Sequence, residues 1–180
     1  WQQDIPRAYL DMSPAELDRR IGAARAKLGK KLVILGHHYQ RDEVIKYADF
    51  TGDSFKLARH AADQEGAEYV LFCGVHFMAE SADILTDESV KVILPNMAAG
   101  CSMADMADPE DVYAAWDEIH EMLGGNASVI PVTYMNSAAS LKAFVGERDG
   151  LVCTSSNADR ALRWAFERGE QYGMAAALGT

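Results

Sequence analysis

A glycine at the end of an apolar run, followed by two histidines and a tyrosine (Gly36-His37-His38-Tyr39), is the first segment of the chain equipped for chemistry. An imidazole at the mouth of a strand can orient a carboxylate or move a proton near neutral pH. A phenol two residues further on can donate a hydrogen bond to a developing oxyanion. His37 and Tyr39 are therefore candidate acid–base residues. Cys101 stands between Gly100 and Ser102. The glycine admits close backbone approach, and the serine can cap a following helix. A helix N-terminus there would favour thiolate, the form that binds iron. Tyr134 and Asn136 form another polar loop after an apolar run, and Ser54 and Ser155 each open a predicted helix. Free N–H groups and the dipole at such helix ends bind carboxylate or phosphate.

Each of these residues also has a structural reading. Cys101 can be a packing cysteine. His37 and Tyr39 can be loop residues bonded to backbone. Ser54, Asn136 and Ser155 can be helix N-caps, a role compatible with anion binding. Cys73 and Cys153 bring the cysteine count to three, but both end apolar strands and read as packing residues. His60 and His120 fall inside helices as packing or solvated residues. His38 and His76 have no comparable case for function, and Asp53 and Glu80 are read as structural.

The elements that must hold these groups follow from periodicity. Leu32–Leu35, Tyr69–Phe72, Val90–Leu94, Val129–Thr133 and Leu151–Cys153 are short β-branched runs that predict buried strands. Pro131 weakens the fourth or sends it to an edge or bulge. Ser13-Pro14-Ala15-Glu16 is a capping box before Leu17, Ile21, Ala24 and Leu28 at helical spacing. Asp108-Pro109-Glu110-Asp111 opens a second helix with Val112, Ala115, Trp116 and Ile119 on its apolar face, stopped at Gly124-Gly125. Strands alternating with helices imply an α/β fold, with a parallel sheet covered on both faces and ligands bound beyond the carboxyl ends of the strands. The polar, aromatic and sulfur side chains concentrate at that edge. A weak internal echo runs through the chain: strand, His37-His38-Tyr39, short helix, Asp53-Ser54, helix; then strand, Tyr134-Met135-Asn136, short helix, strand, Ser155, helix.

Composition narrows the function classes. The 180 residues are 49% hydrophobic and 24% charged, ordinary for a globular chain with a real core. A net charge of −10 makes nucleic acid and anionic membrane poor partners. No apolar run is long enough to span a bilayer. The start, Trp1-Gln2-Gln3-Asp4, has neither a basic nor an apolar leader region, and without an initiator Met it suggests an excised piece. Three cysteines without a CxxC pair fit a reducing cytoplasm. A nucleotide-binding α/β domain is a competing reading. Against it, no G-x-G-x-x-G follows the first strand and no Walker lysine is present.

Taken in order, six segments are more specific than any one of them. They are Leu35–Gln40, Ala48–Ser54, Gly74–Glu80, Pro95–Ala104, Tyr134–Ser137 and Cys153–Ala158. This series resembles the quinolinate synthase family from about Leu17 to Trp164. The resemblance implies three similar three-layer α/β units around a pseudo-threefold axis, each donating one cysteine to a [4Fe–4S] cluster whose fourth iron meets the substrate. It implies condensation of iminoaspartate with dihydroxyacetone phosphate to quinolinate, in the cytoplasm, fed by an L-aspartate-oxidising enzyme. Carried over by position, Cys101 matches the first cluster ligand. His37 and Ser54 match substrate-contacting residues, with Tyr39 working beside the histidine. Tyr134, Asn136 and Ser155 match further substrate contacts.

The same resemblance sets expectations for the chain's extent. Residues 1–103 would form a first unit, including the first cluster-cysteine loop, and 104–180 a second, incomplete one. The family's other two cluster cysteines, a His-Pro-Glu segment and a threonine have no counterpart here. The tail from about Gly169 does not resemble the strand and Pro-Asp loop expected next. A chain of this kind is expected to be inactive alone, or to be a non-catalytic relic that pairs with a partner.

Overall fold

The apolar run at residues 32–35 forms β1 (Leu32–His37), which carries on through Gly36 to His37. The computed structural model describes residues 4–124, 128–171 and 175–179. They divide into two units, Trp1–Gly100 and Cys101–Thr180. Gly125, Trp1 to Gln3 and part of the tail, about which the sequence raised expectations, lie outside the described residues. Among the described residues no helix is long and apolar enough to cross a membrane.

The first unit begins with α1 (Arg7–Leu10) and α2 (Pro14–Leu28). Ser13 caps α2 by accepting the Glu16 N–H at 3.3 Å. The reciprocal half of the expected capping box does not form, because the Glu16 carboxylate turns to Arg19 and Arg20. After β1 come α3 (Asp42–Ile45), β2 (Phe50–Gly52), α4 (Ser54–Ala62), β3 (Tyr69–Cys73), α5 (His76–Leu85) and β4 (Lys91–Ile93). The four strands form one parallel sheet in the order β2-β1-β3-β4. The core lies where α4 and α5 meet this sheet: Leu35, Leu57, Val70, Phe72 and Phe77 are fully buried. Coverage is uneven. β1 is buried from Val33 to His37, whereas β3 alternates and β4 leaves Lys91 and Ile93 exposed. Strand β2 has no counterpart among the predicted strands. Its three residues, Phe50-Thr51-Gly52, are too few to show a period.

The second unit contains α6 (Pro109–Leu123), β5 (Ser128–Tyr134), α7 (Ala139–Glu147), β6 (Leu151–Cys153), α8 (Ala158–Gln171) and β7 (Ala175–Gly179). Its sheet is parallel in the order β6-β5-β7. The Ala-rich tail supplies a strand, β7, that no β-branched run marked. One expectation changes here: β5, with Pro131 inside it, is the central strand rather than an edge. Pairing with β6 begins only at Val132, so one flank of Pro131 lies outside the ladder and the missing N–H is tolerated there. On one face Ile130 and Val132 pack with Cys153, Ala161 and Ala165 of β6 and α8. On the other, Leu141, Phe144 and Val145 of α7 are buried. The predicted α6 forms with Asp108 as its cap, accepting the Glu110 N–H at 2.8 Å. It buries none of its residues. Its apolar face, including Val112 and Trp116, borders a cavity of about 160 Å³ shared with β5 and α7.

The turn into β6 is closely packed against β5. Asp149 adopts a positive φ of 56°, and a Cβ on Gly150 would stand 2.1 Å from the Pro131 carbonyl oxygen. Backbone cannot yield as a side chain does, so Gly150→Ala is expected to destabilise the chain by about 1–3 kcal/mol or more. Gly146→Ala, on α7 with open space around the added methyl, is expected to stabilise by about 0.5–1 kcal/mol. Urea denaturation of both variants checks the pair, and equal effects would refute the close approach.

Candidate functional site

The carboxyl end of β1 is built around His37, only 3% exposed. Its carbonyl accepts the Gln40 N–H at 2.8 Å, and its Nδ1 accepts the Tyr39 N–H at 3.3 Å. The rings of His37, His38 and Tyr39 form one cluster, with centroids 4.2–4.3 Å apart. Burial, and then the neighbouring His38, push the His37 imidazole below its ordinary 6.5, with Asp53 pulling the other way. Tyr39 is 78% exposed. Gly36 keeps α3 close behind the histidine, since a Cβ there would meet Ile45 Cδ1 at 2.7 Å.

β2 brings Ser54 to the same sheet edge, because His37 pairs with Gly52. The expected cap moves by one residue. Asp53 is the N-cap of α4, accepting the Lys56 N–H at 2.9 Å. Ser54 becomes the first helical residue, so capping does not occupy its hydroxyl. Asp53, read from sequence as merely structural, therefore does what was expected of Ser54.

The second unit repeats the strand-end register and its backbone bond. Tyr134 ends β5 and pairs with Cys153, as His37 pairs with Gly52. The Met135 N–H donates to the Cys153 carbonyl at 2.8 Å, as the His38 N–H donates to the Gly52 carbonyl at 3.3 Å. Tyr39 thus corresponds to Asn136, and Ser54 to Ser155. Asn136 is not an N-cap: Ala138 precedes α7 without a side-chain cap, and the Asn136 amide reaches Met103 Sδ at 3.7 Å. Nor does Ser155 cap α8. Its exposed side chain sits in the turn before that helix, while Asn157 binds the Thr154 N–H at 2.7 Å and accepts the Ala161 N–H through its carbonyl. Tyr134 is partly buried against the α8 cluster.

Cys101 opens the second unit on a loop, partly exposed. No helix starts there, contrary to the expectation for Ser102. The Asp105 carboxylate accepts the Cys101 N–H at 3.1 Å, and the Asp105 N–H donates to the Cys101 carbonyl at 2.9 Å, closing a single turn. The next helix waits until Pro109. Asp105 competes for the N–H groups that a helix N-terminus would have offered. Cys73 and Cys153 end β3 and β6, and burial pushes both thiols up. All three cysteines are free. Among the described residues no three His, Cys, Asp or Glu side chains gather as a metal site. Cys101 is partly exposed, and the described residues assemble no ligand set for a cluster around it. His60 stacks on Phe50, and His120 lies tilted against Trp116, as packing histidines.

Comparison with known proteins matches residues 19–173 to the family described as quinolinate synthetase A protein. Similar curated proteins, each named quinolinate synthase, include one from Corynebacterium glutamicum, 59% identical over 170 residues (94% of this chain, 43% of the relative). Another, from Streptomyces coelicolor, is 62% identical over 159 residues (88% of this chain, 40% of the relative). One from Halobacterium salinarum is 54% identical over 167 residues (93% and 44%). The chain thus spans less than half the length of these relatives.

Two measurements test the site as described. With limiting iodoacetamide, mass spectrometry is expected to find Cys101 alkylated before Cys73, and Cys153 last, following exposure and the raised thiols. First reaction at Cys153 would contradict its place in the core. Because the folded His37 binds its proton less readily than the unfolded chain, its stabilising effect is present above pH 6.5. It is lost as pH falls from there through the folded value. The urea midpoint should drop as pH falls below 6.5, and His37→Gln should flatten that drop.

Proposed function

The chain belongs to the quinolinate synthetase A protein family, and from that membership we propose that it carries the first one and a half to two α/β units of a quinolinate synthase, the second of them incomplete. The reaction is condensation of iminoaspartate with dihydroxyacetone phosphate, releasing phosphate and water, in de novo NAD biosynthesis. The enzyme is cytoplasmic, and an L-aspartate-oxidising enzyme supplies the iminoaspartate. The observation that carries this reading is the repeated strand-end arrangement: His37, Tyr39 and Ser54 in one unit occupy the positions of Tyr134, Asn136 and Ser155 in the other.

The roles follow from chemistry. The carboxylates of the substrates need hydrogen-bond donors, and an acidic chain must supply them locally. Ser54 at the first turn of α4, Ser155 before α8, the Asn136 amide and the Tyr134 hydroxyl are such donors. His37, buried and held neutral at physiological pH, offers its Nε2 side for proton transfer, with the Tyr39 phenol beside it. Cys101 supplies one thiolate to a [4Fe–4S] cluster, whose remaining ligands come from outside the residues present here. When bound, that cluster acts as a Lewis acid toward substrate oxygen.

A chimera tests the proposal. This chain replaces the corresponding segment of the Streptomyces coelicolor quinolinate synthase, and quinolinate formation is measured anaerobically. Activity is expected. Cys101→Ala should abolish cluster incorporation, and His37→Ala should lower kcat by about 10²–10⁴-fold with the cluster intact. A folded, cluster-loaded chimera without activity would instead mark the chain as a non-catalytic relic. Anaerobic iron and sulfide added to the chain alone should give no stoichiometric cluster.

A further inference from the structure

Two neighbouring imidazoles at the end of β1 make hydrogen bonds that fix where their protons sit. The Gly52 carbonyl can only accept, and His38 Nδ1 lies 3.1 Å from it. His38 therefore carries a proton on Nδ1. His37 Nδ1 accepts the Tyr39 N–H, so the neutral ring of His37 carries its proton on Nε2. The rings stack at 4.3 Å, 30° from parallel, in opposite tautomers. The second unit shows that the side-chain bond is additional. Met135 keeps the backbone bond to the Cys153 carbonyl, and its thioether offers no donor.

We propose that His38 is a positioning residue that holds His37 as its Nε2–H tautomer. His38, its ring exposed, binds the Gly52 carbonyl through both its backbone N–H and its ring Nδ1–H. This ties the β1 loop to the residue before Asp53 and Ser54. The tether fixes the backbone between His38 and Tyr39, and so keeps the Tyr39 N–H aimed at His37 Nδ1. The remaining ring nitrogen of His37 is then an Nε2–H donor, suited to a carboxylate or carbonyl oxygen of the substrate. This role rests on the reaction proposed above, but the tautomer itself does not.

The test is therefore made on this chain without substrate. Long-range ¹H–¹⁵N NMR of the histidine rings at pH 7.5 is expected to give Nε2–H for His37 and Nδ1–H for His38. In His38→Leu, His37 should become a mixture of tautomers and the Tyr39 amide should exchange roughly tenfold faster, as one hydrogen bond is lost. In His38→Asn, whose side-chain amide places an N–H where Nδ1–H stood, both signatures should return. A merely structural role would not depend on that donor. An Nδ1–H His37 in the unaltered chain overturns the proposal, as does a folded His38→Leu indistinguishable from it. A correct tautomer in the chain, combined with an inactive cluster-loaded chimera, would sink the enzymatic reading alone.

Discussion

In each unit one carbonyl governs the geometry of the candidate site. The residue just past the end of the leading strand, His38 or Met135, gives its N–H to the carbonyl at the end of the neighbouring strand, Gly52 or Cys153. The parallel register puts that carbonyl beside the strand end. The bond then turns both loops out over the same edge of the sheet. A backbone group left without a partner there would cost about as much as a lost hydrogen bond. The turn is therefore held by the main chain and leaves side chains free to vary. His37 and Tyr134 differ chemically, as do Tyr39 and Asn136, yet their positions correspond. Two copies of one backbone solution thus present an imidazole and a phenol in one unit, and a phenol and an amide in the other.

Local capping refines this arrangement. A helix start needs an acceptor for its first N–H groups. Asp53 meets that need for α4, whereas at α8 the Asn157 carbonyl accepts the Ala161 N–H and its side chain turns back to the Thr154 N–H. With Asp53 as the cap of α4, the hydroxyl of Ser54 is released from the commonest structural duty of a serine in such a loop, and Ser155 sits in the turn before α8 without capping it. Asp53 also opposes part of the burial effect on His37, so the residue that starts the helix also influences the imidazole.

The three cysteines separate by environment. Cys153 belongs to the packed face between β6 and α8, and Cys73 ends a strand of the first unit; burial disfavours the thiolate of both. Cys101 lies in a loop closed by its own neighbour, Asp105. A count of three thus does not make a ligand set, because ligation requires accessible thiolates brought together, whereas Cys153 is buried in the core and Cys73 is half-buried at its strand end.

Much of the protein was legible in its sequence. Short β-branched runs and capped amphipathic stretches marked most strands and helices, because period and capping are local properties. The order of the polar loops identified the family, and the internal echo foretold the repeated loop. Tertiary structure decided what depends on distant partners. It made β5 central despite Pro131, since only the strand pairing reveals which flank of a proline goes unpaired. It turned the Ala-rich tail into β7 and the three-residue segment Phe50–Gly52 into β2. It moved the cap from Ser54 to Asp53 and withheld a helix from Ser102. It also gave His38 a partner 14 residues away in the chain, which no local pattern could signal: spacing records which residues share a face, whereas a hydrogen bond across strands exists only once their register is set.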